Sequence, residues 1–136
     1  QQVDVATLGQ VEIDPHIVCA IDTNSPIAEQ YRMLRTNLKA LRLSRGGLAI
    51  GITSAVHEEG KSVTAINLAM AFAQQRRFRV LLVDADMRKG STERWLGLRP
   101  GMPGLSSALM AGGRINGSLL RLQSPPLTIC PPGRCA

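Results

Sequence analysis

The chain has 136 residues, of which 44% are hydrophobic and 19% charged, a composition typical of one folded domain with its own core. It contains no apolar run near the roughly 18 residues that span a bilayer, so we expect no direct membrane span. The 3% of aromatic residues is too low for a single-stranded nucleic-acid binder, and three cysteines do not make a disulfide scaffold. The net charge of +6 fits either a plain basic surface or a polyanionic ligand such as a nucleotide phosphate.

The N-terminal residues 1–24 lack a clear period, and we expect them to form an N-terminal arm. Because the chain opens with Gln1 rather than Met, we also expect it to be a piece of a longer protein. Within the arm, the apolar residues of 11–18 predict either a short strand or a packing segment. Ser25 and Pro26 then predict a helix start, and Gly46 predicts that this helix ends near Arg45. Its predicted apolar stripe consists of Ile27, Tyr31, Leu34, Leu38 and Leu41.

Residues 48–83 have the pattern of a strand, a helix and a second strand. The run 48–53 predicts a buried parallel strand, and 54–60 a polar loop. The following helix should bury Val63, Ile66, Met70 and Ala73 on one face. A second strand is expected at 80–83, which completes a βαβ unit and predicts an α/β fold with a parallel sheet flanked by helices.

The C-terminal part, 84–136, has weaker signals. Short helices are predicted at 92–96 and 105–110, and a strand at 127–130. We expect 25–136 to form one partial domain, because the chain stops where a parallel sheet should continue.

A phosphate-binding motif occupies the loop and the start of the second helix. Residues 55–62 match G-x-x-x-x-G-K-[ST] except at the first position, which is Ala55. In such loops, backbone N–H groups point at phosphate oxygens. Lys61 would then reach the β and γ phosphates, Gly60 would allow close backbone approach, and Ser62 would be a Mg²⁺ ligand. The candidate loop residues are Ala55, Val56, His57, Glu58, Glu59, Gly60, Lys61, Ser62 and Val63.

Two carboxylates follow the second predicted strand. Asp84 and Asp86 lie at its carboxyl end, where ligands bind in open parallel sheets. Because residues two apart in extended chain point the same way, both could face one site. One would serve the metal or its water and the other a proton; the alternative is a strand that simply ends in a polar turn, with an Asp capping a helix.

The sequence resembles the bacterial tyrosine kinases of capsule and exopolysaccharide assembly, a family with a P-loop NTPase-like domain. The resemblance rests on the degenerate phosphate loop, on the Asp84-x-Asp86-x-Arg88 segment, and on Glu29-x-x-Arg32-x-x-Arg35 in the first helix. It covers roughly residues 10–133.

The resemblance implies ATP-dependent phosphorylation of tyrosines within a ring of identical subunits. It implies that Lys61, Asp84 and Asp86 are catalytic, that the loop residues and Arg88 bind ATP, and that Ser62 and the two aspartates hold Mg²⁺. Glu29, Arg32 and Arg35 would join subunits. The resemblance also implies a transmembrane polysaccharide co-polymerase as activator and a cytoplasmic location at the inner face of the membrane.

Two departures from the family leave alternatives open. The family's Walker B aspartate, on a later strand, and its tyrosine-rich tail have no counterpart, which allows an inactive nucleotide-binding or oligomerisation fragment. A partitioning ATPase of the MinD/ParA type is the other alternative. Those ATPases carry a signature lysine five residues before the Walker lysine, and Val56 at that position argues against it.

Overall fold

Four strands form one sheet in the computed structural model, which describes residues 4–41, 46–53 and 60–133. The strands are β1 (Val5–Thr7), β2 (Leu81–Val83), β3 (Leu119–Gln123) and β4 (Pro126–Cys130). They lie in the order β1-β3-β4-β2. The pairs β1–β3 and β2–β4 are parallel, whereas β3 and β4 form an antiparallel hairpin. The predicted α/β class is therefore confirmed, with a largely parallel sheet.

Five helices accompany the sheet in the described part of the chain: α1 (Val18–Ile21), α2 (Pro26–Ala40), α3 (Lys61–Ala73), α4 (Thr92–Trp95) and α5 (Leu105–Met110). Helix α3 is the central one, with Ile66, Met70 and Ala73 fully buried as its period predicts. It is buried on most of its circumference, because Leu68, Ala69 and Ala71 are also inside. No helix in the described residues is long and apolar enough to cross a membrane.

Helix α2 begins as its sequence predicts. The Ser25 hydroxyl accepts a hydrogen bond from the Ala28 N–H at 3.1 Å, and Pro26 occupies the first turn, where its missing N–H costs nothing. The helix ends at Ala40, earlier than expected. The expected end near Arg45 falls in 42–45, outside the described residues.

The buried face of α2 differs from the predicted apolar stripe. Ile27, Leu34 and Leu41 are 55%, 38% and 66% exposed, whereas Ala28 is completely buried. Ala28 lies about a quarter turn from Ile27 around the helix. The face that α2 turns to the core cluster therefore includes Ala28, although its side chain is the smallest of the four.

The predicted strand at 48–53 does not form. These residues have no place in the sheet, and both Leu48 and Ile50 are 40% exposed. Since a strand exists only through hydrogen bonds to a neighbouring strand, the apolar run alone is insufficient. The predicted βαβ unit is therefore absent from the described residues, although its helix and its second strand are present.

The segment before α2 packs against the core instead of forming a strand at 11–18. Ile17 is fully buried, and Val11 and Ile13 pack against the core cluster. The buried side chain of Asn67 ties this segment to α3: its Oδ1 accepts from the Cys19 N–H at 3.0 Å, and its Nδ2 donates to the His16 carbonyl at 3.1 Å. The strand in this region is β1, which the sequence did not indicate.

Candidate nucleotide-binding site

The amino end of α3 carries the phosphate-loop motif. Gly60 precedes the helix with φ +71°, a left-handed conformation that favours glycine, and Lys61 and Ser62 begin the first turn. The backbone N–H groups of 61–63 lie in the first turn, where the helix has no carbonyl group to accept their hydrogen bonds. The helix dipole adds positive potential at the same end. This end of α3 can therefore accept an anion. The other predicted loop residues, Ala55, Val56, His57, Glu58 and Glu59, lie outside the described residues.

The two motifs meet at the carboxyl end of β2. The Lys61 ammonium lies 4.0 Å from Oδ2 of Asp86, and both side chains are about two-fifths exposed. An ion pair this exposed contributes little to folding, on the order of 0–1 kcal/mol. The pair matters because of its location. It brings the Lys61 ammonium and the Asp86 carboxylate, which belong to separate elements, to one place that solvent can reach.

Asp84 occupies a more enclosed position beside this pair. Its carboxylate is 8% exposed and accepts three hydrogen bonds: from the Asp86 N–H on Oδ1 at 3.0 Å, and from the Thr92 hydroxyl and N–H on Oδ2 at 2.6 and 3.2 Å. All three donors are neutral, and Asp84 forms no ion pair with any residue that the structure describes. The Asp84 carboxylate also affects Cys130. Burial raises the pKa of the Cys130 thiol most, and the negative charge of Asp84 raises it further.

The segment that contacts Asp84 also contacts the Ser62 hydroxyl. This hydroxyl accepts a hydrogen bond of 2.9 Å from the Ser91 hydroxyl, and Ser91 directly precedes Thr92 in the chain. Neither Ser91 nor Thr92 was among the residues predicted for the site. No motif marks them, since their relevance depends on how α4 packs beside α3 and β2.

The oxygen ligands that remain are suited to magnesium. A buried carboxylate with only neutral partners favours a neighbouring cation, and Mg²⁺ prefers a few hard oxygens together with water and phosphate. Within the described ranges, no three His, Cys, Asp or Glu side chains form a metal cluster. Ser62, Asp84 and Asp86 supply oxygen atoms of the kind that Mg²⁺ binds, and their role as its ligands stays a prediction.

The remaining predicted residues lie around or away from this centre. Arg88 is exposed in the turn after Asp86, and the Val63 side chain packs against the core, so only its backbone N–H faces the helix end. On α2, Arg32 Nε donates to Glu29 Oε2 at 2.8 Å. Arg35 donates to the Ala71 carbonyl, near the end of α3 opposite Lys61.

Comparison with known proteins identifies related sequences and a related structure. Residues 50–103 match the model of the CobQ/CobB/MinD/ParA nucleotide binding domain. Tyrosine-protein kinase YwqD of Bacillus subtilis (strain 168) is 46% identical over 74 residues, 54% of this chain and 31% of YwqD. Tyrosine-protein kinase wzc of Salmonella typhi is 37% identical over 87 residues, 64% of this chain and 12% of wzc. Tyrosine-protein kinase ptk of Acinetobacter johnsonii is 32% identical over 119 residues, 86% of this chain and 16% of ptk.

The fold comparison agrees with the sequence comparison. The crystal structure of the chimerical protein CapA2B2 superimposes with a TM-score of 0.76 at 30% identity, over 97% of this chain and 57% of that chain. In the sequence comparison, the chain spans about a third or less of the length of each of the three tyrosine-protein kinases named above. In sequence and in fold, this chain is related to the bacterial tyrosine-protein kinases, through a nucleotide-binding domain of the CobQ/CobB/MinD/ParA type.

Proposed function

We propose that this chain is the nucleotide-binding part of an ATP- and Mg²⁺-dependent protein-tyrosine kinase that regulates the chain length and export of capsule or exopolysaccharide. The observation that carries the proposal is the approach of Lys61 to Asp86 within 4.0 Å, which joins the phosphate-loop motif to the paired carboxylates. The related proteins named tyrosine-protein kinases support a kinase over a partitioning ATPase, as does Val56 in place of the signature lysine.

The positions of the described side chains support the proposed roles. Lys61 and the N–H groups at the start of α3 bind the β and γ phosphates, while Ser62, Asp84 and Asp86 hold the metal. When bound, Mg²⁺ neutralises the charge that develops on the transferring phosphoryl group. Asp86 is partly exposed, so it can also accept the proton of an incoming phenol, whereas Asp84 is enclosed. Arg88 and the loop residues 55–59 complete the nucleotide contacts.

The acceptor tyrosine in this proposal belongs to another molecule. Tyr31 is the single tyrosine of the chain, and it packs half-buried against the core from α2. We propose that the acceptor is a tyrosine outside residues 1–136, carried by a neighbouring copy of the longer protein in a ring, with Glu29, Arg32 and Arg35 at or near the contact between subunits. A transmembrane co-polymerase would activate the ring and keep it at the inner face of the membrane.

Calorimetric titration of the chain with ATP and Mg²⁺ tests the nucleotide site. Replacement of Lys61 by Ala removes the positive charge nearest the phosphates, and we expect at least tenfold weaker binding, about 1.4 kcal/mol. Lys39→Ala is the matched control, because it removes the same charge from α2, where Lys39 Nζ donates to Gln75 at 3.1 Å. The control should bind within twofold of the parent.

Two results would contradict the proposal. The phosphate-loop assignment is wrong if Lys61→Ala and the parent bind ATP equally. Equal losses in Lys61→Ala and Lys39→Ala would instead show that only the net positive charge of the chain attracts the nucleotide.

A further inference from the structure

The dipeptide Ser91–Thr92, at the start of α4, touches both halves of the candidate site. Ser91 donates to the Ser62 hydroxyl on α3, and Thr92 donates twice to Asp84 after β2. Ser62 and Asp84 belong to different elements and are 22 residues apart in sequence. Two adjacent residues therefore bridge the two groups that would bind one metal ion.

The bonds from Thr92 determine how Asp84 presents its oxygens. The hydroxyl bond of 2.6 Å is short, as expected for a donor to an ionised carboxylate, and both residues are more than nine-tenths buried. An ionised carboxylate offers about four acceptor positions. Thr92 occupies two and the Asp86 N–H a third, so the rotation of the carboxylate is fixed and about one position remains for a metal or its water.

The bond from Ser91 has the corresponding effect on Ser62. Whichever hydroxyl donates, the Ser62 oxygen keeps at least one lone pair that can face a metal. Outer groups that orient metal ligands in this way typically change metal affinity by about 10–100-fold when removed.

We propose that Thr92, assisted by Ser91, is a positioning residue that aligns Asp84 with Ser62 for Mg²⁺. The inference rests on the proposed function, since it assumes that these groups hold the metal of a bound nucleotide. The competing interpretation is that Asp84 merely caps α4 through the Thr92 N–H, in which case the bond stabilises folding and has no effect on the metal.

The Mg²⁺ dependence of ATP binding separates these interpretations. The probe is ATP, titrated into the chain in EDTA and again at a series of Mg²⁺ concentrations. Thr92→Val keeps the shape and the N–H but removes the hydroxyl, and we expect its Mg²⁺ half-saturation to rise at least tenfold. Binding of ATP in EDTA should stay within twofold. Thr92→Ser restores the hydroxyl and should return the half-saturation to within about threefold of the parent.

Two further variants complete the experiment. Thr128→Val makes the same chemical change on β4, where the Thr128 hydroxyl lies 3.4 Å from Arg121, and it should leave the Mg²⁺ dependence unchanged. Ser91→Ala should raise the half-saturation by a smaller factor than Thr92→Val, and it keeps the test valid if Thr92→Val does not fold.

Each contrary result has a distinct meaning. Mg²⁺-dependent binding that is the same in the parent and Thr92→Val, or that Thr92→Ser fails to restore, overturns the inference and leaves the proposed function standing. A parent chain that binds no ATP with or without Mg²⁺ overturns the proposed function itself, and the inference with it.

Discussion

Cys19 shows how burial determines the chemistry of a single residue. Cys19 lies in α1, is 2% exposed and belongs to the core cluster. Burial raises the pKa of its thiol from 9.0 to about 11, and the positive charges of Arg32 and Arg35 only partly oppose this. The folded chain therefore keeps a proton that the unfolded chain releases at lower pH.

We expect a loss of stability at alkaline pH that depends on Cys19. Between about pH 9 and pH 11 the unfolded chain binds fewer protons at this thiol than the folded chain, so the free energy of unfolding falls as pH rises. Only well below pH 9 are both states fully protonated, and there the thiol adds no slope. Urea unfolding of the parent and of Cys19→Ala at several pH values measures the effect. Cys19→Ala should show a shallower decline above pH 9, and identical slopes in the two chains would contradict the prediction.

At the scale of elements, the contact between α2 and α3 depends on a basic side chain. Arg35 reaches across to the Ala71 carbonyl, and its Nε is buried without a hydrogen-bond partner among the described residues. Burial and the charge of Arg32 lower the pKa of Arg35. In the fold, Arg35 is therefore part of the helix–helix contact. A role in assembly is compatible with this position and stays a prediction.

Substitutions along α2 can separate folding from assembly. Arg35→Ala should lower the free energy of unfolding by about 1–2 kcal/mol, because it removes the bond to Ala71 and the packing of the aliphatic stem. Glu29→Ala should cost less than about 0.5 kcal/mol, since the Glu29 side chain is 58% exposed.

Urea unfolding measures the stability of both variants, and sedimentation with ATP present measures their assembly. If Glu29→Ala leaves any oligomer intact, Glu29 is an ordinary solvated residue and the proposed subunit contact must exclude it. Equal stability of both variants would show that Arg35 is not part of the α2–α3 contact.

At the scale of the whole molecule, residues 4–21 belong to the same sheet and core as the rest of the described chain. Strand β1 pairs with β3 across more than a hundred residues of sequence, and the Asp14 N–H donates to the Trp95 carbonyl at 2.9 Å. The division into an arm at 1–24 and a domain at 25–136 stays a prediction. The described residues of the two segments share one core, so the division rests on the pattern of the sequence alone.

At Gly97 the N-terminal segment lies very close to the rest of the molecule. This glycine has φ +68°, and a Cβ there would overlap the Glu12 backbone. Gly117, with φ +79° and open space around it, is the matched control. Gly117→Ala should cost about 1–2 kcal/mol for the left-handed conformation alone. Gly97→Ala should cost a further 1–3 kcal/mol or so, because the N-terminal segment must move. Urea unfolding of both variants tests this. Equal losses in the free energy of unfolding would mean that the N-terminal segment can move away from Gly97 at no cost.

Local signals in the sequence predicted the elements that can form from their own residues. The cap of Ser25 and Pro26, the apolar period of α3, the short helix α5 and the strand β4 are all confirmed. The sequence predicts that Asp84 and Asp86 face one site, and the structure brings Asp86 to 4.0 Å from Lys61 of the phosphate-loop motif. Their roles toward a nucleotide stay predictions, as do those of residues 55–59.

The tertiary structure decided everything that depends on a partner distant in sequence. The sequence by itself determined which segments could be helical, but the covered face of α2 depends on its contacts with the core and with α3, where Arg35 donates to the Ala71 carbonyl. The apolar run 48–53 forms no strand, and β1 and β3 form although neither was predicted, because strand hydrogen bonds require a neighbour that no local pattern specifies. Thr92 reaches Asp84 for the same reason: a hydrogen bond between elements exists only once the fold has placed them side by side.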